Sequence, residues 1–264
     1  MENTPGPLPG IAAEHGLSLY IETARHRLLM DGGPSPRTWE NAALLGVDPR
    51  EIDTVILSHG HYDHSGGLAR FLAGDCGARV WMQRSAAGEY YNGERYIGID
   101  QALLALPRLE LLEGDTAIDE ELALHTGVSG RRLWPRGNLA LSERVNGAAV
   151  QDRFAHEQFL VVREGERPAL FSGCAHNGIL NILDRFRALY GCAPRAVVSG
   201  FHMMKQGGYT PEETEELRRT AEELAAMPTV FYTGHCTGQA AYELLAPVMG
   251  EKLRPLHAGE RFTI

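Results

Sequence analysis

Within six residues, His59-Gly60-His61-Tyr62-Asp63-His64 sets three imidazoles and a carboxylate beside one another. Neutral imidazole nitrogen and carboxylate oxygen are the donors that zinc and related first-row ions accept. Packed together without a metal, the same side chains would be a polar cluster next to an apolar run, with many uncompensated groups and a correspondingly high cost. The spacing therefore points to a metal site, and Gly60 is expected to give the loop the freedom to turn these side chains inward.

The element that must position them is Thr54-Val55-Ile56-Leu57-Ser58, an apolar, β-branched run that reads as a strand buried on both faces. Ser65-Gly66-Gly67 then opens a helical stretch from Leu68 to Leu72. The same order of strand, tight loop and histidine recurs. Ala169 to Gly173 leads through Cys174 and Ala175 to His176 and a helix over 179–190; Ala196 to Val198 leads to His202; Val230 to Tyr232 leads to His235 and a helix over 240–249. A lone loop histidine is more often a hydrogen-bonded structural residue. Histidines at four equivalent strand ends are harder to assign to chance, and open α/β sheets gather ligands at strand carboxyl ends. His26, His125, His156 and His257 lack this setting and read as surface or structural residues, as Cys174 and Cys236 read as small buried thiols.

Other segments supply a scaffold. Leu17, Leu19 and Ile21 alternate as a strand, Arg27 to Met30 returns beside it, Ser35-Pro36 starts a helix that Gly46 ends, and Thr210-Pro211-Glu212-Glu213 is a capping box for a surface helix to about 226. Length and composition, 264 residues with 44% hydrophobic and 22% charged, suit one α/β domain over 1–264. Its least regular part, about 83–147, is where substrate contacts are expected. With 25 Lys and Arg against 34 Asp and Glu, the net charge of −9 repels polyanions, so a nucleic-acid partner is not expected. Neither a basic-then-apolar leader nor a run of membrane-spanning length is present, and the four cysteines form no CxxC pair. The expectation is a cytoplasmic protein with free thiols, no membrane partner and a small-molecule substrate; its oligomeric state is left open.

The HxHxDH string resembles the metallo-β-lactamase-fold superfamily, and the likeness runs from about Glu14 to Ile264. Glu14-His15-Gly16-Leu17-Ser18, Asp31-Gly32-Gly33, Gly173-Cys174-Ala175-His176-Asn177-Gly178, Gly200-Phe201-His202 and Gly234-His235-Cys236-Thr237-Gly238 together resemble one branch. That branch is labelled after 7,8-dihydropterin-6-yl-methyl-4-(β-D-ribofuranosyl)aminobenzene 5'-phosphate synthase. The resemblance implies an αββα sandwich with two metals at one edge of the sheets. It implies that His59, His61 and His176 hold the first metal, that Asp63, His64 and His235 hold the second, and that Asp31 orients a ligand histidine. The chain departs from the pattern where the superfamily commonly has a bridging Asp, offering Ser199, Gly200 and His202 instead. Relatives often carry an extra strand before the region of Asn3, and a start upstream of Met1 is one reading of this chain's abrupt beginning.

The expected cofactor is a pair of divalent ions, zinc first, with manganese or iron as alternatives. The expected chemistry is hydrolysis by hydroxide generated at a dinuclear centre, on a small anionic, phosphate-bearing substrate. Asp63 and His202 are the candidate catalytic residues, with His202 open as ligand, substrate contact or acid. His15, Lys205 and Thr237 are further candidates at the mouth, and the helix starts near Ser65 and Thr237 are expected to add N–H donors for a phosphate. Two other functions compete: a transferase joining a dihydropterin pyrophosphate to a ribofuranosylaminobenzene phosphate, and a metal or ligand sensor without catalysis.

Overall fold

Alternation in short apolar strands decides the layering. The computed structural model describes residues 1–74 and 76–264. Strands β1 (Leu19–Glu22), β2 (Arg27–Met30), β3 (Thr54–Ile56) and β4 (Arg79–Gln83) lie side by side, antiparallel only between β1 and β2. Helix α1 (Arg37–Leu44) follows β2, and the four-residue helix α2 (Tyr62–Ser65) follows β3. Next come a hairpin, β5 (Tyr90–Asn92) and β6 (Arg95–Tyr96), and then β7 (Leu109–Leu112), which joins the first sheet parallel to β4.

The second large sheet starts with β8 (Thr116–Ala117) and β9 (Leu122–His125). Between these and its remaining strands, β10 (Leu141–Val145) and β11 (Ala148–Gln151) pair with the β5–β6 hairpin as a small separate sheet. The region expected to be irregular thus contains a four-stranded antiparallel sheet, whose exposed, mixed sequence gives little periodic signal. Strands β12 (Phe159–Val162), β13 (Ala169–Ser172), β14 (Ala196–Val198), β15 (Val230–Thr233) and β16 (Leu253–Pro255) complete the second sheet, parallel from β13 onward. Helices α3 (Ile179–Tyr190), α4 (Pro211–Ala225) and α5 (Gln239–Met249) connect them.

Leu28, Met30 and Ile56 of the first sheet pack against Leu124, Leu160 and Phe171 of the second. The alternate residues face outward: Leu29 and Val55 meet Leu68 and Phe71, while Val161 and Val197 meet Ile182 and Phe186 of α3. The result is the αββα sandwich expected from the resemblance. Each such side chain contributes about 1.5–3 kcal/mol by burial. The capping box at Thr210 and Glu213 forms as the sequence indicates, and α4 buries only the face with Leu217, Ala221 and Leu224. Among the described residues no helix is long and apolar enough to cross a membrane.

Candidate metal centre

The four histidine-bearing loops meet at one edge of the sandwich, at the carboxyl ends of β3, β13, β14 and β15. The backbone is forced there: Asp31 (φ 63°), Ala175 (50°), His202 (49°) and His235 (48°) all occupy the left-handed region. Such conformations cost of order 1–3 kcal/mol each and persist only where the surroundings impose them.

His59, His61 and His176 form a triangle with ring centroids 4.6, 4.8 and 4.9 Å apart. The Nε2 atom of each is buried and has no hydrogen-bond partner. For His59 and His176 the other nitrogen is occupied. Ser58 donates its hydroxyl to Asp31 Oδ2 at 2.7 Å, so His59 Nδ1–H donates to Ser58 Oγ at 2.8 Å. His176 Nδ1–H donates to Asn138 Oδ1 at 2.9 Å, and the Asn138 amide is oriented by donating to the His176 carbonyl. Both Nε2 atoms are thereby left as bare lone pairs aimed inward, which is what a metal requires and what a metal-free core avoids. Burial, reinforced by the neighbouring imidazoles, holds His59 and His176 well below the ordinary histidine pKa; His61 is lowered chiefly by burial and by His156. All three are neutral near pH 7, as ligation demands.

A second set lies beside the first. His64 Nε2 is 3.2 Å from His235 Nε2 and 3.9 Å from Asp63 Oδ2, which is 3.4 Å from His235 Nε2. Tetrahedral donors about 2.1 Å from one ion stand about 3.4 Å apart, so the set is already at ligand spacing. His64 Nδ1 is held by Asp31 Oδ2 at 2.7 Å and His235 Nδ1 by Asn3 Oδ1 at 2.8 Å. Burial opposes a charge on His64, but Asp31 and Asp63 outweigh it and raise its pKa to about 9. Burial likewise opposes ionisation of Asp63, and His64 and His235 more than reverse it.

The remaining expected residues divide. Asp31 is fully buried and braces Ser58 and His64, in the orienting position expected of it. His202 stands with its ring 4.1 Å from that of His176 and its Nδ1 buried and unpartnered. His15 is half exposed; its Nδ1 faces the Asn3 amide and its Nε2 lies 3.5 Å from Asp63, at the rim. Lys205 lines the cavity beside His202, with both oxygens of Glu213 2.7 Å from its Nζ, so its charge is paired on the cavity wall. Thr237 is fully buried with its hydroxyl between Phe201 N and Thr233, and it supports the loop without reaching the mouth. Helical turns begin where expected: a 3-10 helix runs over Gly66–Ala73 with Ser65 at its N-cap, and α5 starts at Gln239 with Gly238 at its N-cap, one residue past Thr237. Gly60 has no left-handed φ; its missing side chain is needed because a Cβ there would meet Ala86 O at 2.5 Å.

Sequence reading missed the supports. Asn138, Glu157, Asn3 and Glu2 contact the histidine-bearing loops, Glu157 by accepting His176 N at 2.6 Å and Glu2 by accepting His235 N at 2.5 Å. They come from remote segments with no motif of their own. Cys174 was also passed over. Its sulfur is 3.2 Å from His64 Nε2, and it groups within 4.8 Å with the donor atoms of His59 and His176 and with those of His64 and His235. Beside His202 opens a cavity of about 180 Å³ lined by Leu133, Trp134, Met203, Tyr209 and Leu217. Its cations are neutralised, Arg136 by Glu212 and Glu216 and Lys205 by Glu213.

The family model of the metallo-beta-lactamase superfamily matches residues 12–131. The structure superposes with a TM-score of 0.82 on that of Tm1679, described as a metal-dependent hydrolase of the beta-lactamase superfamily, at 30% identity over 100% of this chain and 96% of that one. The chain belongs to the metallo-beta-lactamase superfamily. An uncharacterized protein of Methanocaldococcus jannaschii is 28% identical, with 89% of this chain and 88% of that protein covered. The 7,8-dihydropterin-6-methyl-4-(beta-D-ribofuranosyl)-aminobenzene-5'-phosphate synthase of the same organism is 24% identical, with 94% and 89% covered. The superfamily is metal-dependent, and the donor clusters of this member fit that chemistry.

Proposed function

We propose that this superfamily member is a dinuclear-metal hydrolase of a small anionic substrate, with phosphate as the anionic group and an apolar ring as part of the body. The observation that carries the reading is the set of buried Nε2 atoms on His59, His61 and His176, unpartnered and beside a second donor set of Asp63, His64 and His235. Divalent ions bound there, zinc first among them, would supply Lewis acidity and a water acidified towards neutrality.

The chain's own residues supply the rest. His202 stands between the donor sets and the cavity, where its ring can hand a proton to a leaving group. The cavity beside it accommodates about one aromatic ring, since a cavity of roughly 150 Å³ takes benzene. Lys205 and Arg136 are already paired, so the substrate's charge is met by the ions and its apolar part by Trp134 and Leu217. The chain's net charge of −9 weighs against nucleic acid.

A second reading is group transfer, favoured by the likeness to the dihydropterin synthase together with a ring-sized cavity. One experiment covers both: zinc-, manganese- and iron-loaded protein assayed on phosphodiesters, pyrophosphates, pterin precursors, lactones, thioesters and nitrocefin, in ¹⁸O-water. Hydrolysis puts ¹⁸O into the product; transfer requires the second substrate and leaves it unlabelled. A lactone, thioester or lactam turned over at least about a hundredfold better than every phosphate compound, ~2.7 kcal/mol in the barrier, overturns the phosphate assignment.

A further inference from the structure

We infer that Cys174 is a metal ligand shared between the two donor sets, a thiolate in the place where a bridging carboxylate is lacking. The inference rests on the metal-centre reading above and goes beyond it by naming the donor that joins the halves. Ser199 and Gly200, at the end of β14, bring no carboxylate to the centre: the Ser199 hydroxyl is fully buried and donates to the Gly200 carbonyl at 2.6 Å.

Cys174 reaches the centre from β13. Its side chain is buried, with 3% of the residue exposed, and its sulfur lies 3.2 Å from His64 Nε2. Among the described residues, Cys174 is the donor common to the cluster with His59 and His176 and the cluster with His64 and His235. His59 and His176, whose buried Nε2 atoms have no partner, belong to one of these clusters, so the sulfur sits among side chains that already lack a partner. A zinc–sulfur bond of about 2.3 Å and zinc–nitrogen bonds of about 2.1 Å in a tetrahedron put sulfur and nitrogen about 3.6 Å apart, close to the contact found. Cys236 is differently placed. Its sulfur groups with the Cys174 sulfur and a His202 ring nitrogen but with none of His59, His64, His176 and His235, and it accepts His202 N at 3.2 Å, lies 3.6 Å from the Cys174 carbonyl and fills the space beside Gly200. On ligation the Cys174 S–H proton is released to solvent and the sulfur lone pairs bind the ions, with no change of oxidation state. A thiolate at the junction biases the centre towards zinc, cobalt or iron over magnesium and manganese.

The test uses full-length protein stripped with chelator and titrated with cobalt(II), which gives a near-ultraviolet thiolate-to-metal charge-transfer band when sulfur is bound. Wild type and Cys236→Ser are expected to show a band that grows through both the first and the second equivalent; Cys174→Ser is expected to lose it. X-ray absorption of zinc-loaded wild type, which needs no variant, is expected to show a zinc–sulfur shell at about 2.3 Å. A band kept in Cys174→Ser, or growing through one equivalent only, overturns the shared ligand. Wild type that binds two cobalt ions with neither band nor sulfur shell overturns the cysteine while leaving the metal centre standing. Wild type that binds no metal overturns both.

Discussion

His26 precedes β2 and Asp53 precedes β3, at the ends of those strands opposite to Asp31 and His59. The His26 ring has a carboxylate on each nitrogen, Asp53 at 3.0 Å and Asp119 at 2.7 Å. One strand length away, His59 and His176 have one nitrogen braced and the other left bare. His156 makes the same contrast inside the centre. Its ring stacks 6.0 Å from that of His59, yet Gly60 N donates to its Nδ1 and Asp152 faces its Nε2. Histidine beside carboxylate occurs at both ends of the strands, and only completeness of partnering separates them. A saturated ring stabilises the chain by itself, whereas a half-saturated one is held open for something else to bind.

The largest break in this comparison is expected at the open end. His61→Ala or Asp63→Ala should lower kcat/KM by about 10³-fold or more, ~4 kcal/mol, and remove metal by elemental analysis. Chelator should lower the Tm of wild type and leave these variants nearly unmoved, because ions bound only to the native state add RT ln(1 + [L]/Kd). A variant that keeps two tight ions would refute the assignment.

Asn138→Ala sits a step away from the ions. Loss of its contact to His176 Nδ1 should weaken metal binding by roughly 10–100-fold, measured by competition with a chromophoric chelator, while leaving the fold intact by circular dichroism. At the saturated end, His26→Ala should cost about 1–3 kcal/mol in denaturant unfolding and keep full metal content. Equal metal loss in both variants would erase the distinction between the two ends.

The His26 end also carries a pH signature. Burial lowers the His26 pKa, but its hydrogen bonds to Asp53 and Asp119 reverse this and raise it; for Asp119, burial raises the pKa, and N–H donors and His26 reverse it downward. The raised histidine stabilises below its ordinary value of 6.5 and loses that contribution as pH climbs through the folded value. The depressed Asp119 stabilises above 3.8 and loses it in acid. The Tm gap between wild type and His26→Ala should therefore be wider near about pH 5.5 than near about pH 8.5. A gap that widens with rising pH would contradict it. The smallest effect is expected for Lys205→Ala, within about threefold in kcat/KM, because Glu213 already neutralises this lysine.

The sequence alone was enough for what depends on local order. Residue type and spacing in His59 to His64 named candidate donors, period-two and fully apolar runs named the core strands, and Thr210 to Glu213 named a helix start. Each is a property of neighbours in the chain. What depends on distant segments was decided only in three dimensions. Nothing near Asn138 or Asn3 announces that they fix the His176 and His235 rings, and no periodic pattern in the exposed strands of the small sheet foretold its pairing. Lys205 had the right charge and neighbourhood, but its hydrogen bonds to Glu213 turned it into part of the wall. Cys174 had the look of an ordinary buried thiol. Whether a sulfur fills a core or joins two donor sets depends on which side chains other loops bring within a few ångströms, and here those loops deliver His59, His64, His176 and His235.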